Sequence, residues 1–181
     1  HEKIVTTLPS SFQPNYIAWV IGAKHATKQL PLSKMISIAG KLKMPVVILG
    51  GKEDMMRSKE IISHFNVPVF DGCGNFSLNQ SAAIVKHAPQ VISHDTGLMH
   101  IAAAFRKKII SVWGNTVPAF EMYPYYGKKS NVDYDVIEIN KLWCRPCSKI
   151  GYKKCPKGHF KCMEKIAVND IVNLAKQRLK K

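Results

Sequence analysis

With 181 residues, of which 46% are hydrophobic and 22% charged, the chain has the size and composition of one globular domain that can bury a sizeable core. No apolar run approaches the ~20 residues that a membrane-spanning helix needs, and no signal-peptide pattern opens the sequence. The net charge of +15 favours anionic partners, namely nucleotides, phosphorylated lipids, an acidic membrane face or nucleic acid.

The first 14 residues differ from the rest of the sequence. They carry polar side chains and two prolines and show no clear hydrophobic period, which is typical of a linker or of a cut end. The sequence also begins at His1 and not at Met. We therefore expect residues 15–181 to form the folded domain and to be the carboxyl portion of a longer protein.

Short apolar runs alternate with segments of helical spacing along the domain. Strands are predicted over residues 15–21, 45–49, 67–70, 90–93, 109–113 and 136–139. Helices are predicted over residues 32–42, 54–65, 77–87, 98–105 and 168 to about 179. This alternation predicts a three-layer α/β fold, in which helices cover both faces of a parallel sheet.

Two neighbouring strands of this sheet end in small polar residues. Residues 93–100 read SHDTGLMH, and residues 114–118 read GNTVP. Ligands of open parallel sheets bind beyond the carboxyl ends of the strands, and a helix N-terminus offers unpaired N–H groups to a phosphate. Asp95, Thr96 and Gly97 are therefore candidates for holding a phosphate or ribose, with His100 facing the crevice obliquely. The alternative is that Asp95 caps the helix and His100 is structural.

Residues 95–104 (DTGLMHIAAA) followed by residues 110–118 (ISVWGNTVP) resemble the lipopolysaccharide heptosyltransferases of glycosyltransferase family 9. The resemblance covers nearly the whole chain from residue 15. It implies a Rossmann-like domain, the carboxyl-terminal half of a GT-B glycosyltransferase, that binds a nucleotide-sugar donor. The implied reaction transfers heptose from ADP-heptose to the inner core of lipopolysaccharide. It requires no cofactor and takes place in the cytoplasm, or peripherally at the inner face of the bacterial inner membrane.

The resemblance also implies where the catalytic base lies. In this family the base belongs to the amino-terminal half of the protein, so we expect no catalytic residue in this chain and little turnover by it alone. The expected partners of this chain are therefore the amino-terminal half of the protein, the nucleotide-sugar donor, the lipopolysaccharide acceptor and an anionic membrane face.

The resemblance and the residues together give a set of donor-binding candidates. Lys28 shortly precedes Leu30 and Pro31, where the family usually has Trp-Pro, and the resemblance implies that Lys28 binds the phosphates of the donor. It also implies that Glu53 contacts the nucleoside end of the donor. The alternatives are that Lys28 is a solvated loop lysine and that Glu53 is an acidic residue placed near a helix N-terminus without a ligand. The full set consists of residues at predicted strand ends: Gly22, Lys24, Lys28, Gly51, Glu53, Asp95, Thr96, Gly97, His100 and Thr116.

Four cysteines and a histidine crowd residues 144–162, a density that can indicate zinc. They are Cys144, Cys147, Cys155, His159 and Cys162. The last two spacings do not form a second Cys-x2-Cys knuckle, and the similar tail of heptosyltransferase II-type members implies no required metal. A structural zinc site, reduced packing thiols and disulfides stay open, although a cytoplasmic context disfavours disulfides.

Two other functions fit parts of the sequence. The charge and the cysteines fit a basic, zinc-stabilised module that binds nucleic acid, but no interleaving of basic and aromatic residues marks a base-stacking platform. A nucleotide-binding α/β domain without catalysis is the second alternative.

Overall fold

The computed structural model describes residues 8–12, 15–128, 131–132 and 134–177. Six strands form one sheet in the order β3-β2-β1-β4-β5-β6, and every neighbouring pair is parallel. The strands are β1 (Ile17–Val20), β2 (Val46–Leu49), β3 (Val69–Asp71), β4 (Gln90–His94), β5 (Lys108–Trp113) and β6 (Tyr134–Glu138). The helices are α1 (Leu32–Ala39), α2 (Met55–Ile62), α3 (Leu78–His87), α4 (Gly97–Ala104), α5 (Lys161–Glu164) and α6 (Val168–Gln177).

Helices cover both faces of the sheet, which confirms the predicted α/β fold. One core cluster joins the sheet to α1, α2 and α6 through buried side chains such as Met35, Ile61 and Ile171. A second cluster joins the other face to α3 and α4 through Ile84 and Met99. Every residue of β1, β2 and β4 is buried for this reason, and β1 and β2 read as the continuous apolar runs typical of strands buried on both faces.

The order of the strands fixes where a ligand can enter. From β1 the chain winds outward through β2 to β3, and it then returns to the other side of β1 to form β4. The loops after β1 and β4 therefore leave in opposite directions and open a crevice at the carboxyl edge of the sheet.

The structure differs from the expectations mainly near the ends of elements. The described part of the predicted linker is packed, not free: Leu8 and Phe12 are buried, and the Phe12 ring meets that of Phe70 edge to face at 6.2 Å. Residues 1–7, 13 and 14 lie outside the described residues, as do positions 178 and 179 of the last predicted helix. The short helix α5 was not predicted, because four residues are too few to show a helical period of hydrophobic residues.

No helix in the described part of the chain combines the length and the hydropathy that crossing a membrane requires.

Candidate functional site

A cleft of about 310 Å³ opens at the carboxyl edge of the sheet, beside the ends of β1, β2 and β4. Five of the predicted residues line it, and they follow three different strands: Gly22, Lys24, Gly51, Glu53 and Thr96. Lys24 and Glu53 are exposed at its rim. His100 is exposed on α4 and is not among the residues that line the cleft.

A buried ion pair lies next to this cleft. Lys28 Nζ is 2.7 Å from Asp95 Oδ2, and the Thr116 hydroxyl donates a hydrogen bond of 2.9 Å to the same oxygen. Asp95 is 6% exposed and Lys28 14%, while Thr116 is buried. Three of the predicted residues, from the ends of β4 and β5 and the loop after β1, thus form one polar cluster, which we call the Lys28 cluster.

The N-terminus of α4 faces open space beside the Lys28 cluster. Thr96 is the N-cap residue with an extended backbone, and no side-chain hydrogen bond caps the helix among the residues that the structure describes. A Cβ atom added at Gly97 would meet no described atom within 4 Å. The alternative in which Asp95 caps this helix is therefore wrong, because its carboxylate is turned to Lys28 and Thr116. The Met99 N–H donates to the Thr96 carbonyl at 3.1 Å, so among the described contacts it is the N–H groups of Gly97 and Leu98 that are left to a ligand or to water.

Asp54 shapes the cleft and was missed by the sequence analysis. It is 3% exposed, and its Oδ2 accepts a hydrogen bond of 3.0 Å from the Gly51 N–H. Burial raises the pKa of this carboxyl group, and Arg57 lies 3.4 Å from its other oxygen. A Cβ atom at Gly22 would lie 2.0 Å from Asp54 Oδ2, so only glycine fits there. An acid three residues after Gly51 and at a helix start was the available signal.

The same arginine ties the loop after β1 to the loop after β2. Arg57 donates a hydrogen bond to the Gln29 side-chain oxygen, and Gln29 Nε2 donates one of 2.7 Å to the Ala23 carbonyl. Both glycine-bearing loops are thereby held in place from behind the cleft.

His94, at the end of β4, is a structural histidine. Its Nε2 accepts a hydrogen bond of 3.0 Å from the Leu30 N–H, and the side chain is 1% exposed. Burial, reinforced by the charge of Arg57, lowers the pKa of His94 from 6.5 to about 3. The ring is therefore neutral in the folded protein, and it fixes the loop that carries Lys28.

This histidine predicts how stability depends on pH. Between pH 6.5 and about 3 the unfolded chain binds a proton on His94 that the folded chain does not, so this group destabilises the fold as pH falls. The expected contribution is at most about 1.4 kcal/mol per pH unit. Urea unfolding at about pH 7 and about pH 5 measures it. The His94→Gln variant keeps an acceptor for Leu30 and should show a shallower pH dependence; an unchanged dependence would contradict the assignment.

The cysteine-rich segment braces the loop that carries Thr116. The Arg145 guanidinium donates a hydrogen bond of 2.9 Å to the Thr116 carbonyl and pairs with Glu138 at 2.5 Å. The Cys147 N–H donates to the Asn115 carbonyl at 3.0 Å. Thr116 is thus positioned by two contacts: its carbonyl accepts a hydrogen bond from Arg145, and its hydroxyl donates one to Asp95.

The five cysteines are free thiols. Cys144 Sγ lies 3.7 Å from His159 Nε2, whereas Nδ1 of the same ring accepts a hydrogen bond from the Lys161 N–H. Burial and the neighbouring thiols raise the pKa of Cys162 to about 11. Among the described residues no group of three or more His, Cys, Asp or Glu side chains is arranged as a metal site. The charges of Cys144, Cys147 and Cys155 nevertheless all act on the Cys162 thiol, and the zinc alternative stays a prediction.

Comparison with known proteins identifies a family. Residues 3–155 match the profile of glycosyltransferase family 9 (heptosyltransferase). The lipooligosaccharide heptosyltransferase 2 of Campylobacter jejuni is 24% identical over 121 residues, 67% of this chain and 35% of that protein. The lipopolysaccharide heptosyltransferase 2 of Escherichia coli K12 is 28% identical over 79 residues, 41% of this chain and 23% of that protein.

Solved structures give the same fold. The E. coli ADP-heptose LPS heptosyltransferase II superposes with a TM-score of 0.73 at 20% identity, over 98% of this chain and 50% of that one. The E. coli heptosyltransferase WaaC with ADP superposes with a TM-score of 0.66 at 21% identity, over 97% of this chain and 47% of that one. The chain thus spans about half the length of these solved relatives.

Proposed function

Since the chain belongs to glycosyltransferase family 9, the heptosyltransferases, we propose that it holds the nucleotide-sugar donor of a heptosyl transfer. The observation that carries this proposal is the Lys28 cluster beside the open N-terminus of α4. A buried cation and free helix N–H groups, together at the switch point of a parallel sheet, are what a diphosphate needs.

The proposed chemistry is a displacement at the anomeric carbon of the sugar. Lys28 has three N–H donors, so it can keep its contact with Asp95 and still donate to a diphosphate oxygen. Asp95 holds the ammonium in place, and the N–H groups after Thr96 add partial positive charge. These groups stabilise the diphosphate as it departs with the bonding electrons. Glu53, at the rim, is suited to accept hydrogen bonds from ribose hydroxyls.

We propose ADP-heptose as the donor and the inner core of lipopolysaccharide as the acceptor, in the cytoplasm. The names of the related heptosyltransferases from C. jejuni and E. coli support the acceptor, and the ADP bound to WaaC supports the adenine nucleotide. The base that activates the acceptor hydroxyl would come from outside this chain, from an amino-terminal half.

A thermal-shift panel separates this proposal from a nucleic-acid-binding module. We expect ADP to raise the melting temperature more than UDP or NAD, and to do so at both low and high salt. An oligonucleotide that stabilises the chain strongly at low salt and hardly at high salt, with no effect of ADP, would favour the module.

The Lys28→Ala variant tests the phosphate contact. A charge-assisted contact to phosphate is worth on the order of 1.5–3 kcal/mol, so ADP should bind roughly ten- to hundredfold more weakly. Adenosine has no phosphate and should lose little affinity. Calorimetric titration of both ligands measures the difference, with Lys43→Ala, an exposed lysine that does not line the cleft, as the matched control. Equal losses for ADP and adenosine would show that Lys28 shapes the loop instead of binding phosphate.

A further inference from the structure

The segment of residues 141–165 concentrates positive charge at the surface. It contains eight basic residues and one acidic residue, Glu164, and so supplies +7 of the net charge of +15. Arg145 is buried against Glu138 and is neutralised by it. The seven lysines are all exposed: Lys141, Lys149, Lys153, Lys154, Lys157, Lys161 and Lys165.

Large apolar side chains are exposed among these lysines. Trp143 is 77% exposed, Ile150 65% and Tyr152 41%. The Lys157 ammonium lies 5.3 Å from the centre of the Trp143 ring, so charge and indole meet at one place. The exposed indole and the neighbouring ammonium form an amphipathic pair, and tryptophan is enriched at interfaces where one side is apolar and the other wet.

The segment is held in a defined position by the domain. The Tyr152 N–H donates a hydrogen bond of 2.8 Å to the buried Thr27 hydroxyl, and Ser148 Oγ accepts hydrogen bonds from Ile150 and Gly151. None of its residues lines the cleft between β1, β2 and β4. Its inner side braces the loops that carry Thr116 and Lys28, whereas its exposed side chains lie outside the cleft.

We propose that residues 141–165 dock on the anionic surface of a lipid bilayer. Trp143 and Ile150 enter the interface, where an indole is favourably placed at the headgroup level, and the lysines pair with anionic headgroups. Each basic residue near such a surface contributes on the order of fivefold in affinity.

The residue types favour a bilayer over nucleic acid. An aliphatic side chain such as Ile150 gains little from a phosphate backbone, whereas burial in an interface removes its apolar surface from water. Bidentate recognition of phosphates and bases uses arginine, and the segment's arginine, Arg145, is buried and paired.

The three tryptophans allow a direct spectroscopic test. Trp19 and Trp113 are 0% exposed, so a fluorescence change on binding reports on Trp143. Vesicles of phosphatidylcholine with about one-third phosphatidylglycerol should shift the emission of residues 1–181 to shorter wavelength, and brominated acyl chains should quench it. Vesicles of phosphatidylcholine alone should cause neither change. The same response to both vesicle types, or no response to either, overturns the proposal.

Two pairs of variants test which residues carry the binding, with vesicle co-sedimentation as the readout. The Trp143→Ser, Ile150→Ser protein should bind about tenfold more weakly or worse, while the Met56→Ser, Leu78→Ser control, with side chains 77% and 64% exposed elsewhere, should bind as the parent does. Lys149→Glu with Lys153→Glu should likewise weaken binding about tenfold or more. Lys43→Glu with Lys59→Glu changes the net charge equally and should weaken binding much less.

Three further outcomes overturn the proposal. If the two double lysine variants lose vesicle binding equally, the protein is attracted to the vesicles by its net charge alone. A blue shift of Trp143 with an oligonucleotide as large as that with the anionic vesicles would favour a nucleic-acid surface. Loss of vesicle binding when a separately made amino-terminal half is added would show that the segment is an interface between the two halves.

Discussion

Replacing Asp95 with alanine is expected to lower the free energy of unfolding by about 3 kcal/mol. The substitution removes the counter-charge of Lys28, which is 14% exposed, and the acceptor of the buried Thr116 hydroxyl. A charge left buried without its partner is strongly destabilising, and an unpaired hydroxyl adds to the loss. If Asp95 served only as an exposed N-cap, its loss would cost about 1 kcal/mol.

A double-mutant cycle isolates the cause of this loss. In the Lys28→Met background the ammonium is gone, so Asp95→Ala should cost much less there than in the parent protein. Urea unfolding of the parent, the two single variants and the double variant gives the coupling energy. Additive losses, or a cost of only about 1 kcal/mol for Asp95→Ala in the parent, would show that the ion pair with Lys28 does not stabilise the fold.

The fold was predictable because each element carries its own signal. The fully buried strands β1 and β2 read as continuous apolar runs, and β4 carries the apolar pair Val91-Ile92 between polar residues. The N-cap of α3 was readable as well: Ser77 accepts a hydrogen bond from the Gln80 N–H, and the Gln80 side chain accepts one from the Ser77 N–H. Apolar runs and capping residues are local signals, because the residues that form each of them are only a few positions apart in the sequence.

The contacts that build the site could not be predicted in the same way. Lys28 and Asp95 come from different parts of the chain, and only the return of the chain to β4 brings them together. The predicted set did contain both residues and Thr116, because each lies at or beyond a strand end. Their pairing with each other, and the support from Arg145, depend on tertiary packing that no local pattern reports.

The Asp54–Gly22 contact shows a further limit. The sequence gives a reason for glycine at position 22 through its freedom in a turn, whereas the structure gives a different one. A side chain there would collide with the Asp54 carboxylate, which reaches across from the following strand end. The sequence therefore could not show this second reason for glycine, because it depends on a contact between two strand ends.

The second large effect concerns turnover. A general base must lie about 3 Å from the acceptor hydroxyl, directly or through one water, and contributes roughly 10²–10⁴-fold to the rate. Four candidates for this base lie at or shortly after predicted strand ends: His25, Glu53, His94 and His100. His94 has its Nε2 engaged and a pKa of about 3, so it is not poised to act as a base at neutral pH. We assign His25, Glu53 and His100 to donor binding or to structure. We therefore expect the chain to bind the donor without transferring its sugar.

Transfer of labelled sugar from ADP-heptose to a lipopolysaccharide-core acceptor tests this division of roles directly. Residues 1–181 alone should bind ADP and yield no product above the uncatalysed background. The same chain mixed with a separately made amino-terminal half should restore transfer. If residues 1–181 alone transfer heptose at an ordinary enzymatic rate, about 1 s⁻¹ or faster, then one of their own side chains is the base and the proposed division is wrong.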